Sequence, residues 1–245
     1  MKTLFKTLLF IIILFPKTSN AQLSICYDSD GYTNIRKKPD RNTKVIGKIV
    51  EGQVFAITYV EEEDNKPTDW IAINFPISNN RREKKFLMFD GEEKVGFVHK
   101  SRLQELETLP AFKTKEVNPD KVVHSYKDVL ISIETQTFKK SDHSVVQTKE
   151  GYYLIDGREA YPYYGGNSTE IKNIILESKN KRYDFPKSTF KNFFMVNALY
   201  TKVYRGKKGE YYIVFNAGDG ADGYNIIYCL KNDKIFSMTI TSTLP

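Results

Sequence analysis

The chain is poor in the residues that most often announce chemistry. It has two cysteines, three histidines and one tryptophan among 245 residues. His99, His124 and His143 lack the close spacing of a zinc-peptidase signature such as H-E-x-x-H, and no nucleophile-elbow motif offers an activated serine. Nothing in the sequence calls for a cofactor or a resident metal. Basic residues are not gathered into a stripe: Arg81-Arg82 and Lys84-Lys85 are interrupted by Glu83 and followed by Glu92-Glu93. Nucleic acid is therefore not the expected partner. Beyond residue 21 no run is long and apolar enough to span a bilayer, which takes about 20 residues. Cys26 and Cys229 lie near opposite ends of the chain and have two readings, a disulfide stapling the halves together or two free buried thiols. The apolar setting Tyr228-Cys229-Leu230 favours a packed thiol over a nucleophile.

The first residues supply a compartment. Lys2 and Lys6 form a basic start, Leu8 to Phe15 an unbroken apolar stretch, and Ser19-Asn20-Ala21 a small-x-small site before Gln22. This pattern is that of a signal peptide, residues 1–21, cleaved after Ala21 to release a secreted or periplasmic protein. Lipid attachment at Cys26 would want a small residue where Ile25 stands. Loss of Lys2, Lys6 and Lys17 lowers the net charge from +7 to +4, a mildly basic balance compatible with an acidic surface polymer.

What is abundant is aromatic and β-branched: 16 Tyr and 16 Phe accompany many Ile and Val. Long helical stripes are missing, and short alternating or apolar runs recur at 45–50, 54–60, 70–75, 129–133, 211–215, 224–230 and 235–240. The chain is expected to be mostly β. Residues 106–122, with Pro110 and Pro119 and mixed charges, read as a connector (108–121) between a segment ending near 107 and a larger one covering 122–245.

The first segment has a specific order of events. Tyr32-Thr33-Asn34-Ile35-Arg36 runs into a Pro39-Asp40-Arg41-Asn42 turn and then Val45-Ile46-Gly47. Glu51-Gly52 reads as a tight turn before Val54 to Ile57, and an acidic tip, Glu61 to Asp64, precedes Asp69-Trp70-Ile71-Ala72-Ile73. Gly96-Phe97-Val98-His99-Lys100-Ser101-Arg102-Leu103 closes the series. Over residues 25–107, a third of the chain, this resembles the bacterial SH3-like (SH3b) family. The resemblance implies a small barrel that binds peptides or cell-wall material and targets an attached domain, without catalysis of its own. The insertion 76–94 departs from the family, which has a short turn there. Tyr32, Asn34, Arg36, Trp70 and His99 are the side chains able to line a ligand groove, by amide, guanidinium and aromatic contacts.

The second segment reads as a mostly antiparallel sheet, with strands near 129–137, 145–148, 152–156, 171–178, 211–215, 224–230 and 235–241. One short helix is expected at 186–194, opened by Pro186, with Phe190, Phe193 and Phe194 on one face. Asn216 to Tyr224 is Gly- and Asp-rich. Asp219, Asp222 and Tyr224 make it a candidate recognition loop, with a plain hairpin turn as the alternative to a cation site. Tyr161 to Asn167 is a second polar-aromatic cluster suited to stacking on a sugar or peptide.

The expected architecture is thus an SH3-like barrel followed by a β-rich antiparallel domain with one short helix. The function these features point to is non-catalytic binding at the cell envelope, with cell-wall peptide or an envelope protein as partner. Two rivals belong to other classes. An envelope hydrolase in the second segment would show clustered carboxylates, or Cys229 beside a histidine, in an open cleft. An inhibitor or immunity-type protein would show an exposed apolar patch.

Overall fold

A computed structural model describes residues 22–58, 69–79, 86–179 and 181–243. The expected signal peptide, the acidic tip Glu61 to Asp64 and the centre of the 76–94 insertion lie outside these residues. The protein is mostly β. The first half contributes β1 (Gln22–Cys26), β2 (Tyr32–Arg36), β3 (Val45–Val50), β4 (Val54–Ile57), β5 (Trp70–Asn79), β6 (Leu87–His99) and β7 (Leu103–Glu105). Next come β8 (Lys113–Asn118), β9 (Lys121–Tyr126), β10 (Val129–Thr137), β11 (Val145–Gln147), β12 (Tyr153–Ile155) and β13 (Arg158–Glu159). The chain continues with β14 (Thr169–Ser178), β15 (Lys181–Asp184), β16 (Val196–Arg205), β17 (Tyr211–Ala217), β18 (Tyr224–Lys231) and β19 (Lys234–Ser242).

These strands form three sheets. The largest runs β16-β17-β18-β19-β6-β5-β4-β1-β7, with β2 joined to β6 and β3, and curls into a half-barrel. The second runs β15-β14-β10-β9-β8 and the third β11-β12-β13. Burial explains the stacking. In β17 and β18 residues on both faces are buried, so their apolar runs are continuous rather than alternating. Ile213, Phe215, Ile226 and Tyr228 on one face join Val122, Ile131, Ile133, Ile174 and Leu176 of the second sheet. Tyr212, Val214, Ile227 and Cys229 on the other join Ile25, Val54, Leu106 and Leu109. A separate cluster of Ile35, Ile49, Phe55, Ile73, Phe75 and Val98 fills the curled sheet of the first half.

The halves are tied by backbone. Ser237, Met238 and Thr239 of β19 pair in parallel with Leu87, Met88 and Phe89 of β6. Those β6 residues belong to the 76–94 insertion, whose described parts extend the β5–β6 hairpin, with Ser78 opposite Asp90 and Asn79 opposite Phe89. Glu93 closes the junction, accepting from Asn74 Nδ2, Thr241 Oγ1 (2.5 Å) and the Ser242 amide (3.1 Å). Ser237 Oγ donates to Gly52 O (2.6 Å), and the Val54 amide donates to Thr239 Oγ1 (3.2 Å). Gly52 has φ +83°, and a Cβ there would stand 2.6 Å from the Phe236 ring, so the turn demands glycine twice over. Beside it Glu51 pairs with Lys231 (2.9 Å) and Lys208 (3.0 Å). These lysines, Lys231 foremost, hold its carboxyl below the usual range.

Residues 108–121, expected to connect the halves, carry structure of their own. Leu109 and Phe112 are buried, Phe112 N donates to Val203 O (2.8 Å), and Arg205 N donates to Pro110 O (2.8 Å). The expected helix at 186–194 contracts to one turn of 3-10 helix, Lys187–Thr189. Its C-cap Phe190 has φ −142°, outside the helical range. Phe193 and Phe194 then form bridges to Tyr161 and Glu170 and bury into different clusters, so extended backbone serves these neighbours better than a helical face. Cys26 and Cys229 are free thiols in separate clusters, so the disulfide reading is corrected: each is packed by its own apolar neighbours.

His124 on β9 is fully buried between hydroxyls. Thr201 Oγ1 spends its proton on Ala198 O (2.7 Å), so it accepts from His124 Nε2 (2.8 Å), which leaves Nδ1 to accept from Thr114 Oγ1 (2.9 Å). Burial alone lowers the ring's pKa from 6.5 to about 4. The unfolded chain therefore takes up a proton that the folded chain refuses. Stability from this group is whole above about pH 6.5 and is lost as pH falls towards 4. In chemical denaturation at stepped pH, His124→Gln is expected to flatten the decline between these values relative to wild type; parallel curves would refute the assignment.

Candidate functional site

The five groove residues expected from the sequence come together on one surface. In β2 the inward positions are Thr33 and Ile35, which leaves Tyr32, Asn34 and Arg36 pointing out. Arg36 stands opposite Phe97 of β6, Phe97 opposite Ala72 of β5, and His99 opposite Trp70. Directly opposed residues share a face, and Ile73 and Val98, of the other parity, fill the curled core. Tyr32, Asn34, Arg36, Phe97, His99 and Trp70 are thus a continuous outer face of the sheet β3-β2-β6-β5.

Its geometry is aromatic and cationic. Lys48 of β3, opposite Asn34, holds Nζ 4.0 Å from the centre of the Tyr32 ring. Trp70 and His99 meet edge to face at 5.5 Å between ring centres. Arg36 Nη1 donates to Thr43 O (2.8 Å) and so fixes the 37–44 loop, whose Asp40 Oδ1 accepts from the Asn42 amide (2.8 Å) in the expected turn. Asp69, Lys100 and Ser101 rim the far end. Asp69 pairs with Lys100 (2.7 Å), which holds its carboxyl below the usual range. His99 Nδ1 accepts from the Ser101 amide (3.3 Å) and lies 2.8 Å from Ser101 Oγ, while Nε2 is 3.9 Å from Asp69. The Asp-His-Ser sequence of contacts has the composition of a catalytic triad but not its mechanics. The ring nitrogen nearest the hydroxyl is occupied as a cap for the following 3-10 turn, and the carboxylate is beyond hydrogen-bond reach of the other.

The two loops of the second half also meet. Tyr164 bonds Asp222, which raises the phenol pKa, and Tyr161 lies against Tyr224 with ring centres 6.3 Å apart. Tyr224, grouped in the sequence with Asp219 and Asp222 as a recognition residue, is instead core. It is 6% exposed, its hydroxyl lies 2.8 Å from Tyr161 O and 2.7 Å from Phe194 O, and burial raises its pKa well above normal. The glycine-rich segment is a tight turn, with Asp222 N donating to Asp219 O (3.1 Å). A Cβ on Gly218 would sit 2.3 Å from Asp222 O. Among the described residues no group of three or more His, Cys, Asp or Glu is placed to hold a metal ion.

One constellation had no sequence signal. His143 Nδ1 lies 3.0 Å from Asp156 Oδ2, and its Nε2 lies 3.9 Å from Glu170 Oε2. Glu170 is nearly buried, and its Oε1 accepts from Gln136 Nε2 (2.7 Å). These residues come from β10, β14 and two loops, so no local spacing betrays them. Known proteins add nothing to this geometry: the chain matches no family model, no curated protein and no solved structure. No helix among the described residues is long and apolar enough to cross a membrane.

Both thiols are inert by environment. Burial foremost pushes Cys26 up to about 11 and Cys229 up to about 12. A thiol reagent at pH 8 is expected to leave both unmodified in native protein and to label both in denaturant. Rapid native labelling would contradict this packing.

Proposed function

We propose that this protein is an exported, non-catalytic binding protein of the cell envelope. Its first half acts as an SH3-like barrel that engages peptidoglycan peptide or an envelope protein. The observation that carries the reading is the convergence of Tyr32, Asn34, Arg36, Trp70 and His99 on one outward face, bordered by Lys48 and Phe97. Such a face offers what a short acidic peptide needs. Flat aromatic area comes at low entropy cost, two cations meet carboxylates, and an amide is placed to pair with backbone. The chain's net charge without its leader favours the same class of partner.

The hydrolase alternative has one observation in its favour, carboxylates near a cleft in the second half. Glycosidic cleavage needs one carboxyl kept protonated beside an ionised one. Lys172 foremost holds Glu134 below the usual carboxylate range, and His143 foremost does the same for Asp156. Both are therefore charged acceptors, and neither is the protonated acid of such a pair.

The test is sedimentation with insoluble peptidoglycan. Tyr32→Ala and Trp70→Ala are each expected to weaken retention about tenfold, as loss of one aromatic anchor does, with unchanged melting. Retention equal to wild type in both variants would exclude this face.

A further inference from the structure

Two clefts in the second half share Pro119, Asp120, Thr135 and Thr137 and so form one trough across the end of β10. Their volumes are about 730 and 560 Å³, each in the range of roughly 300–1,000 Å³ typical of ligand sites. We propose that this trough is a second binding site, for a neutral sugar chain.

The lining selects that chemistry. At one end stand four carboxylates, Asp120, Glu134, Asp142 and Glu170, against the cations Lys139 and Lys172 and the ring of His143. That balance repels phosphate-bearing and other polyanionic ligands. The polar character of this end gives a lipid or an apolar peptide nothing to bury against. Planar carboxylate and amide side chains are instead matched to neighbouring hydroxyls, which both donate and accept. Glu170 is built for this. Its side chain is 8% exposed, Gln136 fixes Oε1, and Oε2 lies beyond hydrogen-bond reach of His143 Nε2, with Asp156 holding the opposite edge of that ring. Oε2 is thereby oriented to accept a hydroxyl.

The other end supplies an apolar shelf and a held distortion. Met195 has φ +55°, a left-handed conformation that a non-glycine residue adopts only where its surroundings hold it. It is held there by its amide donating to Ser168 Oγ (3.1 Å) and its carbonyl accepting from Gly218 N (3.2 Å). The pairing of β16 with β17 slips between Val196 and Thr201. This slip carries Asn197 and Leu199 onto the trough, with Tyr200 beside them 66% exposed. Met195 and Leu199 present apolar surface to the C–H faces of a sugar ring, and Asn167, Asn197 and Thr169 face its hydroxyl rim.

That such a chain belongs to the envelope rests on the export reading; recognition of a sugar chain by the trough does not. The probe is an uncharged N-acetylglucosamine oligomer, titrated calorimetrically into the full protein, with peptide-free glycan strands, whose freed lactyl carboxylates make them polyanions, run in parallel as the ligand the trough disfavours. Because neither probe carries peptide, the result is independent of the Tyr32–Trp70 face. Saturable binding of the oligomer that survives about 0.5 M salt, where exposed charge pairs are screened, is expected, with the anionic strands binding more weakly at low salt. Oligomer binding should weaken about tenfold or more in the double variant Asp120→Ala, Gln136→Ala, whose sites are exposed. Thr137→Trp, which fills the section the two clefts share and keeps every carboxylate in the sequence, is expected to do the same. Absence of oligomer binding at millimolar concentration, binding erased by salt, tighter binding of the anionic strands at low salt, or equal affinity in wild type and both altered proteins would overturn the proposal.

Discussion

The structure depends on burying the hairpin strands β17 and β18 from both sides. β17 and β18 are covered by the five-stranded sheet on one face and by β1, β4 and the Leu106–Leu109 turn on the other. The second half cannot close its core without them, and Ile25, Val54, Leu106 and Leu109 of the first half bury against their other face. With roughly 25 cal/mol for each Å² of apolar surface removed from water, two-sided burial makes every side chain of these strands count. The first half in turn keeps its own cluster around Ile35 and Phe75, so its outer surface is held rigid by packing that a ligand does not touch. Rigidity of that kind is what makes a face of exposed rings and cations useful for recognition, because little order remains to be imposed on binding.

Beside that apolar contact, the junction is closed by main chain and by small polar side chains. Parallel pairing of β19 with β6, the Glu93 clasp, and the Ser237 and Thr239 bonds to Gly52 and Val54 satisfy backbone groups that burial would otherwise strand. A sheet running unbroken through this junction sets the first-half face at a defined place relative to the trough on β10 and β16.

Much of this was legible in the sequence, and the limits of legibility are physical. Alternation in Tyr32-Thr33-Asn34-Ile35-Arg36 assigns faces directly, and the opposed positions of Trp70 and His99 follow once their strands pair, so the outer face could be named residue by residue. The apolar runs at 211–215 and 224–230 marked strands but not their two-sided burial. The insertion at 76–94 looked like a loop because its partner strand, β19, lies 150 residues away, with Ser237 opposite Leu87. The Phe190, Phe193 and Phe194 spacing mimicked a helical stripe, yet tertiary contacts on opposite sides of the backbone drew these rings apart. Tyr224 looked like a loop residue only because its neighbours are glycines and aspartates; its hydroxyl has carbonyl acceptors inside. The trough was invisible because its side chains come from strands and loops far apart in sequence and its curvature depends on a bulge at Val196 and a left-handed Met195.

The central claim is that recognition happens on the outward face of β3-β2-β6-β5. The most direct measurement is amide and side-chain chemical-shift mapping by NMR while a soluble, unlinked stem peptide of the cell wall is added. Saturable shifts are expected to cluster at Tyr32, Asn34, Arg36, Lys48, the Trp70 indole, Phe97 and His99, with the inward neighbours Ile35, Ile73 and Val98 nearly unmoved. Saturation accompanied by shifts confined to the second half, or no shift at any of these residues at millimolar peptide, would contradict it.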